Sequence, residues 1–124
     1  MKRIMIVEDA ELLSDLMMEI LNLNGFDVIG QAYKGSDSIS MFEELRPDIV
    51  LMDIILPDMS GIDAARRITE LDGRARIIAI TALSHRDIRD ECIEVGCMGF
   101  LVKPFRMKEL INAVKAVADR VDAE

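Results

Sequence analysis

Glu8, Asp9, Asp53, Thr81 and Lys103 are the residues of this chain whose types could do chemistry together. Each follows a short apolar run. Glu8-Asp9 follows IMIV, Asp53 follows IVLM, Thr81 follows IIAI, and Lys103-Pro104 follows FLV. If those four run ends meet, three carboxylates, one hydroxyl and one ammonium share a small space. Two carboxylates ~4 Å apart repel by about 4 kcal/mol at an effective dielectric near 20. Three would force at least one to take up a proton unless positive charge is supplied. Lys103 supplies a single unit, so a hard divalent cation with oxygen ligands fits the remainder. Mg²⁺ uses one or two carboxylates, several waters and a phosphate, and Mn²⁺ accepts the same donors. Singly, each residue has an ordinary role: Glu8-Asp9 could cap a helix, Asp53 end a strand, Lys103 pair on the surface. Their joint placement at four run ends points to a site.

Such a meeting requires the runs to be parallel strands, whose C-terminal ends lie along one sheet edge where ligands bind. Apolar runs at 4–7, 49–52, 77–80 and 100–102 are continuous, as expected of strands covered on both faces. A weaker alternating run at 26–32 suggests a sheet edge. Between the runs the period changes to that of a helix. Leu13, Leu16, Met17, Ile20 and Leu21 form one stripe, closed by Gly25, and Ile39, Phe42 and Leu45 a second, stopped by Pro47. Ser60-Gly61-Ile62-Asp63 resembles a capping box opening a third helix with Ile62, Ala65 and Ile68. Ser84-His85-Arg86-Asp87 repeats that spacing before Ile88, Cys92 and Val95, with Gly96 as the stop. Leu110, Ile111, Val114, Val117, Ala118 and Val121 complete a fifth helix. Five strands alternating with five helices define an α/β class with a parallel sheet. Asp53 is expected at the mouth of its strand, facing the polar cluster rather than buried in its run.

With 124 residues, 51% of them apolar, the chain is expected to form one domain, 1–124. The net charge of −8 and a pI near 4.6 argue against a nucleic-acid surface and against adhesion to an anionic membrane. Only four apolar residues follow Met1-Lys2-Arg3, too few for a signal peptide or a membrane span, so a cytoplasmic location is expected by default. Cys92 and Cys97 form no Cys-x-x-Cys, and His85, the lone histidine, completes no zinc site with them. They read as reduced, structural thiols.

The chain resembles the receiver domain of two-component response regulators, the family of the chemotaxis response regulator, over about residues 4–117. The matching elements are Glu8-Asp9, the "LMD" strand end with Pro57 and Gly61, "TA" at Thr81-Ala82, and "KPF" from Lys103. The resemblance implies a single doubly wound, flavodoxin-like sheet of order 2-1-3-4-5 flanked by five helices. It implies that Asp53 accepts a phosphoryl group from a sensor histidine kinase, a phosphotransfer protein or a small donor. Asp9, Asp53 and the backbone carbonyl of Ile55 would ligate Mg²⁺, with Glu8 holding a metal-bound water. Lys103 would pair with phosphoryl oxygens, Thr81 would hydrogen-bond one of them, and small Ala82 would keep the approach open. A cis Lys103-Pro104 bond is common in the family. Phe100 stands where the family more often has a switching tyrosine, so a switch here works by packing; the output face would be helix 4, strand 5 and helix 5.

Ile55 and Leu83 stand where many receivers carry polar side chains that influence attacking water, and they are expected to screen the acyl phosphate and prolong its life. The chain is expected to catalyse only its own phosphorylation and dephosphorylation. A stand-alone regulator acting on a downstream protein is favoured over a receiver separated from an output domain. Three alternatives compete with this reading. A flavodoxin-like FMN binder needs phosphate donors where Glu8, Asp9 and Glu11 stand. A haloacid-dehalogenase-type phosphatase needs Asp-x-Asp, but Ile54-Ile55 follow Asp53. A degenerate receiver, binding partners without phosphorylation, conflicts with the intact acidic pair, acceptor, threonine and lysine.

Overall fold

The computed structural model describes residues 1–83 and 85–123. Ten elements alternate along it: β1 (Arg3–Val7), α1 (Glu11–Leu23), β2 (Asp27–Ala32), α2 (Gly35–Leu45), β3 (Ile49–Asp53), α3 (Gly61–Leu71), β4 (Ile77–Thr81), α4 (Arg86–Glu94), β5 (Cys97–Val102) and α5 (Met107–Ala123). The strands are all parallel, in the order β2-β1-β3-β4-β5. Strand order reverses at β1, so the crevice beyond the C-terminal ends of β1 and β3 is the topological switch point, where such sheets bind ligands.

Period-two alternation along each strand builds a core on each face. Ile4 and Ile6 of β1, Ile49 and Leu51 of β3 and Ile78 and Ile80 of β4 pack with α1 and α5 through Met17, Leu21, Leu110 and Val114. Met5, Val7, Val50, Met52 and Ile77 point the other way, onto Phe42 of α2 and Ala64, Ala65 and Ile68 of α3. Ala79 joins Ile54, Ile62 and Cys92 beneath α4. Those three central strands carry the continuous apolar runs because helices cover them on both sides.

Four expectations need correction. β5 is a sheet edge like β2 and mostly half-buried, although α5 packs on one face and α4 on the other, and it starts three residues earlier than its apolar run. Gly99 lies within that strand, where a side chain would press on Ile78. In α1, Leu16 is 44% exposed whereas Ser14 is fully buried. Gln31 of β2 reaches across to donate to the Ser14 hydroxyl at 2.9 Å, which satisfies a polar group on the inner face. The Ser60 capping box is half formed: its hydroxyl accepts from Ile62 N at 3.1 Å, while Asp63 turns outward to Arg66 at 2.8 Å. Finally, Asp53 stands at its strand's mouth as expected but is buried there, only 3% exposed.

The helix stops behave as read. Gly25 and Gly96 take positive φ after α1 and α4, and Arg46 adopts the left-handed region just before Pro47. The capping role assigned to Ser84 lies outside the described residues; the N-cap of α4 is His85, without a side-chain bond. Cys92 lies on α4 and Cys97 opens β5, both as free thiols. Burial pushes the Cys97 thiol up to about 12, which leaves it unreactive.

Candidate functional site

Three strand ends and the turn after β5 converge at the switch point. Just past β1, Glu8 N donates to Ala32 O at 3.0 Å, which carries the β1–β2 pairing one residue further and turns the Glu8 side chain inward, 1% exposed. One oxygen, Oε2, accepts from Ala10 N at 3.1 Å. From the turn after β5, Lys103 Nζ lies 2.6 Å from Glu8 Oε1 and donates to Asp53 Oδ2 at 2.8 Å. The turn itself is fixed by Lys103 N donating to Thr81 O at 2.9 Å, and the Lys103-Pro104 peptide is cis, as the resemblance implied. Asp53 Oδ1 accepts from Ile55 N at 3.0 Å. Asp9 is exposed at the rim.

Carboxylate oxygens of Glu8, Asp9 and Asp53 all lie within 4.8 Å of one another. The charge balance is therefore as the spacing required: three acids against one ammonium. Burial pushes the Glu8 carboxyl above its usual range, opposed by the lysine contact. Burial alone would lower the Lys103 ammonium, but its bonds to Asp53 and Glu8 outweigh burial and hold it raised.

This arrangement passes a direct test for a hard cation. Glu8 Oε1 is buried, and its charge is met by the Lys103 ammonium at 2.6 Å, which Asp53 shares. Buried carboxylates that share a single ammonium within an acidic cluster are ready acceptors for a further cation or its bound water.

The model of the response regulator receiver domain family matches residues 4–115. This chain belongs to that family. The receiver is 37% identical over 117 residues to the chemotaxis protein CheY of Thermotoga maritima, covering 94% of this chain and 98% of that protein. It is 35% identical over 119 residues to the transcriptional regulatory protein PdtaR of Mycobacterium tuberculosis, covering 96% of this chain but 58% of that protein. Among solved structures it superposes on the crystal structure of the CheX-CheY-BeF3-Mg²⁺ complex from Borrelia burgdorferi with a TM-score of 0.90. That pair is 30% identical, covering 94% of this chain and 88% of the other. The family is one of signalling domains rather than classical enzymes, and this receiver's acidic cluster could hold a metal.

Around the cluster, the receiver places the remaining residues as follows. Thr81 is fully buried, and its hydroxyl oxygen accepts from Leu83 N at 2.9 Å, which leaves the hydroxyl hydrogen free to turn. Ala82 is exposed and, with Leu13, Lys103, Pro104 and Phe105, lines an apolar cavity of about 430 Å³ beside the lysine. Ile55 is 55% and Leu83 37% exposed; both border a second, open cavity of about 560 Å³. Phe100 is half-buried on β5, with the Arg89 guanidinium of α4 4.8 Å above its ring. Among the described residues no helix is long and apolar enough to cross a membrane.

Sequence reading missed three participants. Gly61 has a reason that spacing does not reveal: a Cβ there would collide with the Asp53 carbonyl, so only glycine lets α3 start so near β3. Arg89 carries no signal in a solvated helix face. Asp58 reads as an ordinary turn residue after Pro57, yet both its oxygens are bonded to backbone amides of α2.

Proposed function

We propose that residues 1–124 form a single receiver whose Asp53 accepts a phosphoryl group from the phosphohistidine of a sensor kinase or phosphotransfer protein, or from a small donor. An Asp53 carboxylate oxygen attacks phosphorus in line, the N–P bond breaks, and the imidazole leaves with the electron pair and takes up a proton. Phosphoryl transfer asks the protein mainly for positioning and for neutralising the spread of charge. Lys103, now bound to the acceptor, neutralises phosphoryl oxygens, and the free hydrogen of the Thr81 hydroxyl turns to donate to one of them. Asp9, Asp53 and the Ile55 carbonyl would hold Mg²⁺ or Mn²⁺, with Glu8 on a metal-bound water; the ion supplies the positive charge that a single lysine lacks. Thr81 and Phe100 carry the change to α4, β5 and α5, where Phe100 has no hydroxyl and repacks beneath Arg89. That face would meet a downstream protein or an output domain in the cytoplasm.

One observation supports this reading above the rest: a buried carboxylate at the switch point, bonded to a lysine and within 4.8 Å of two further acids. Incubation with a small radiolabelled phosphodonor and Mg²⁺ should give one hydroxylamine-labile phosphate, and Asp53→Asn should take up none. Unchanged labelling of Asp53→Asn would move the acceptor elsewhere.

The exposed side chains of Ile55 and Leu83 flank the approach to Asp53, and we assign them a screening role against attacking water. The double change Ile55→Asn with Leu83→Glu should shorten the lifetime of the phosphorylated protein severalfold. An identical decay would reduce both residues to surface packing.

A further inference from the structure

Residues 54–60, which connect β3 to α3 beside the acceptor, are fastened at both ends. At the base, Gly61 N donates to Ile54 O at 2.6 Å, and Ile55 bridges Ser60 in one antiparallel step. At the tip, Asp58 reaches α2: Oδ1 accepts from Gly35 N at 2.7 Å and Oδ2 from Ser36 N at 2.9 Å. Both amides belong to the first turn of α2, where N–H groups have no partner within the helix. The residue at the N-cap, Lys34, provides no side-chain bond, so Asp58 caps this helix from another part of the chain. Next to it, Met59 lies against Gly35 so closely that a Cβ at Gly35 would collide with the thioether. The bonds from Ser36 and Gly35 hold the Asp58 carboxyl down at about 2.

Asp58 is not one of the clustered acids. What connects it to the site is the backbone of its segment. The segment it fastens contains Ile55, whose N–H sets Asp53 Oδ1 and whose carbonyl would face the cation. If the tip comes free of α2, the orientation of the acceptor carboxylate and the position of that carbonyl loosen together.

We propose that Asp58 is a positioning residue for the cation site: by tying residues 54–60 to the N-terminus of α2, it holds the Asp53 carboxylate and the Ile55 carbonyl at the spacing a divalent ion needs. This inference rests on the phosphoacceptor reading and names a residue outside the set that would touch metal or phosphate.

Titration calorimetry with Mg²⁺ tests it, well below the melting temperature and with circular dichroism confirming the fold. Asp58→Ala should raise the Mg²⁺ dissociation constant roughly tenfold, the low end of what losing an orienting partner costs a metal site. Asp58→Asn, which keeps one carbonyl acceptor, should fall between. Thr69→Val is the control: it removes the hydroxyl bond to Val95 O that ties α3 to the end of α4, and should leave the constant unchanged. Unaltered Mg²⁺ affinity in Asp58→Ala would overturn the proposal, as would equal weakening in Thr69→Val, which would mark a general loss of stability. Failure of the unsubstituted chain to bind Mg²⁺ would instead remove the phosphoacceptor reading, and this proposal with it.

Discussion

Asp53 and Asp58 stand five residues apart on either side of the turn after β3, and the protein holds them in opposite ways. Asp53 is 3% exposed and has one backbone amide and one shared ammonium, in the company of two further carboxylates. Asp58 is exposed, and each of its oxygens accepts from an amide of a helix N-terminus. The exposed carboxylate is thus the better satisfied of the two. Its charge is matched by oriented N–H groups and by the positive end of α2, so its lone pairs are committed to structure. The buried one sits among like charges with too little compensation. A nucleophile needs an available lone pair, and a cation site needs surplus negative charge; under the function proposed above, incomplete satisfaction would leave both at Asp53. Under that function, reactivity and structural use would divide between two aspartates five residues apart.

Removing the countercharge of the buried aspartate should have the larger effect. Lys103→Met leaves Asp53 and Glu8 side by side without their ammonium, and breaking a buried ion pair in this one-sided way costs about 3 kcal/mol or more. Denaturant unfolding of the metal-free protein at neutral pH should show that loss, and added Mg²⁺ should recover part of it, because the ion would then oppose the same surplus. Stability equal to that of the unsubstituted chain would mean that the acids are relieved in some other way, and the contrast with Asp58 would fail.

Much of this contrast was legible in the sequence on one side only. The apolar runs at 4–7, 49–52 and 77–80 mark the three central strands because each is covered on both faces, and their polar successors mark the rim. The half-buried edge β5 reads short, since Cys97, Met98 and Gly99 make no continuous run. Asp53 stands out as a charge among apolar neighbours, yet its partner there is Lys103, fifty residues away. Asp58 gave no such signal. Its partners are backbone amides, which have no residue type to read, and Gly35-Ser36 looks like ordinary turn composition. Helical period likewise assigned Leu16 to the core and left Ser14 out, because the compensating donor, Gln31, lies on another element. In each case the missing information was a partner distant in sequence.

The exposed aspartate should produce a smaller effect, legible in its pH dependence. The Asp58 carboxyl titrates at about 2 in the folded chain against 3.8 for an unperturbed group. Because the folded value is the lower, the unfolded chain binds the proton more readily between the two, and stability falls as pH drops through that window. Above 3.8 the two amide bonds contribute fully; below about 2 the carboxyl is neutral in both states and the contribution is gone. Asp58→Asn lacks the charge at every pH. Its melting temperature should therefore lie below that of the unsubstituted protein near neutrality, and the two curves should converge as the solution is acidified toward about 2. Both proteins carry the same acids around Asp53, so the difference between the curves reports the change at position 58. A gap that persists unchanged into strong acid would show that shape, not charge, holds the turn to α2, and Asp58 would lose its claim to be the charge-satisfied member of the pair.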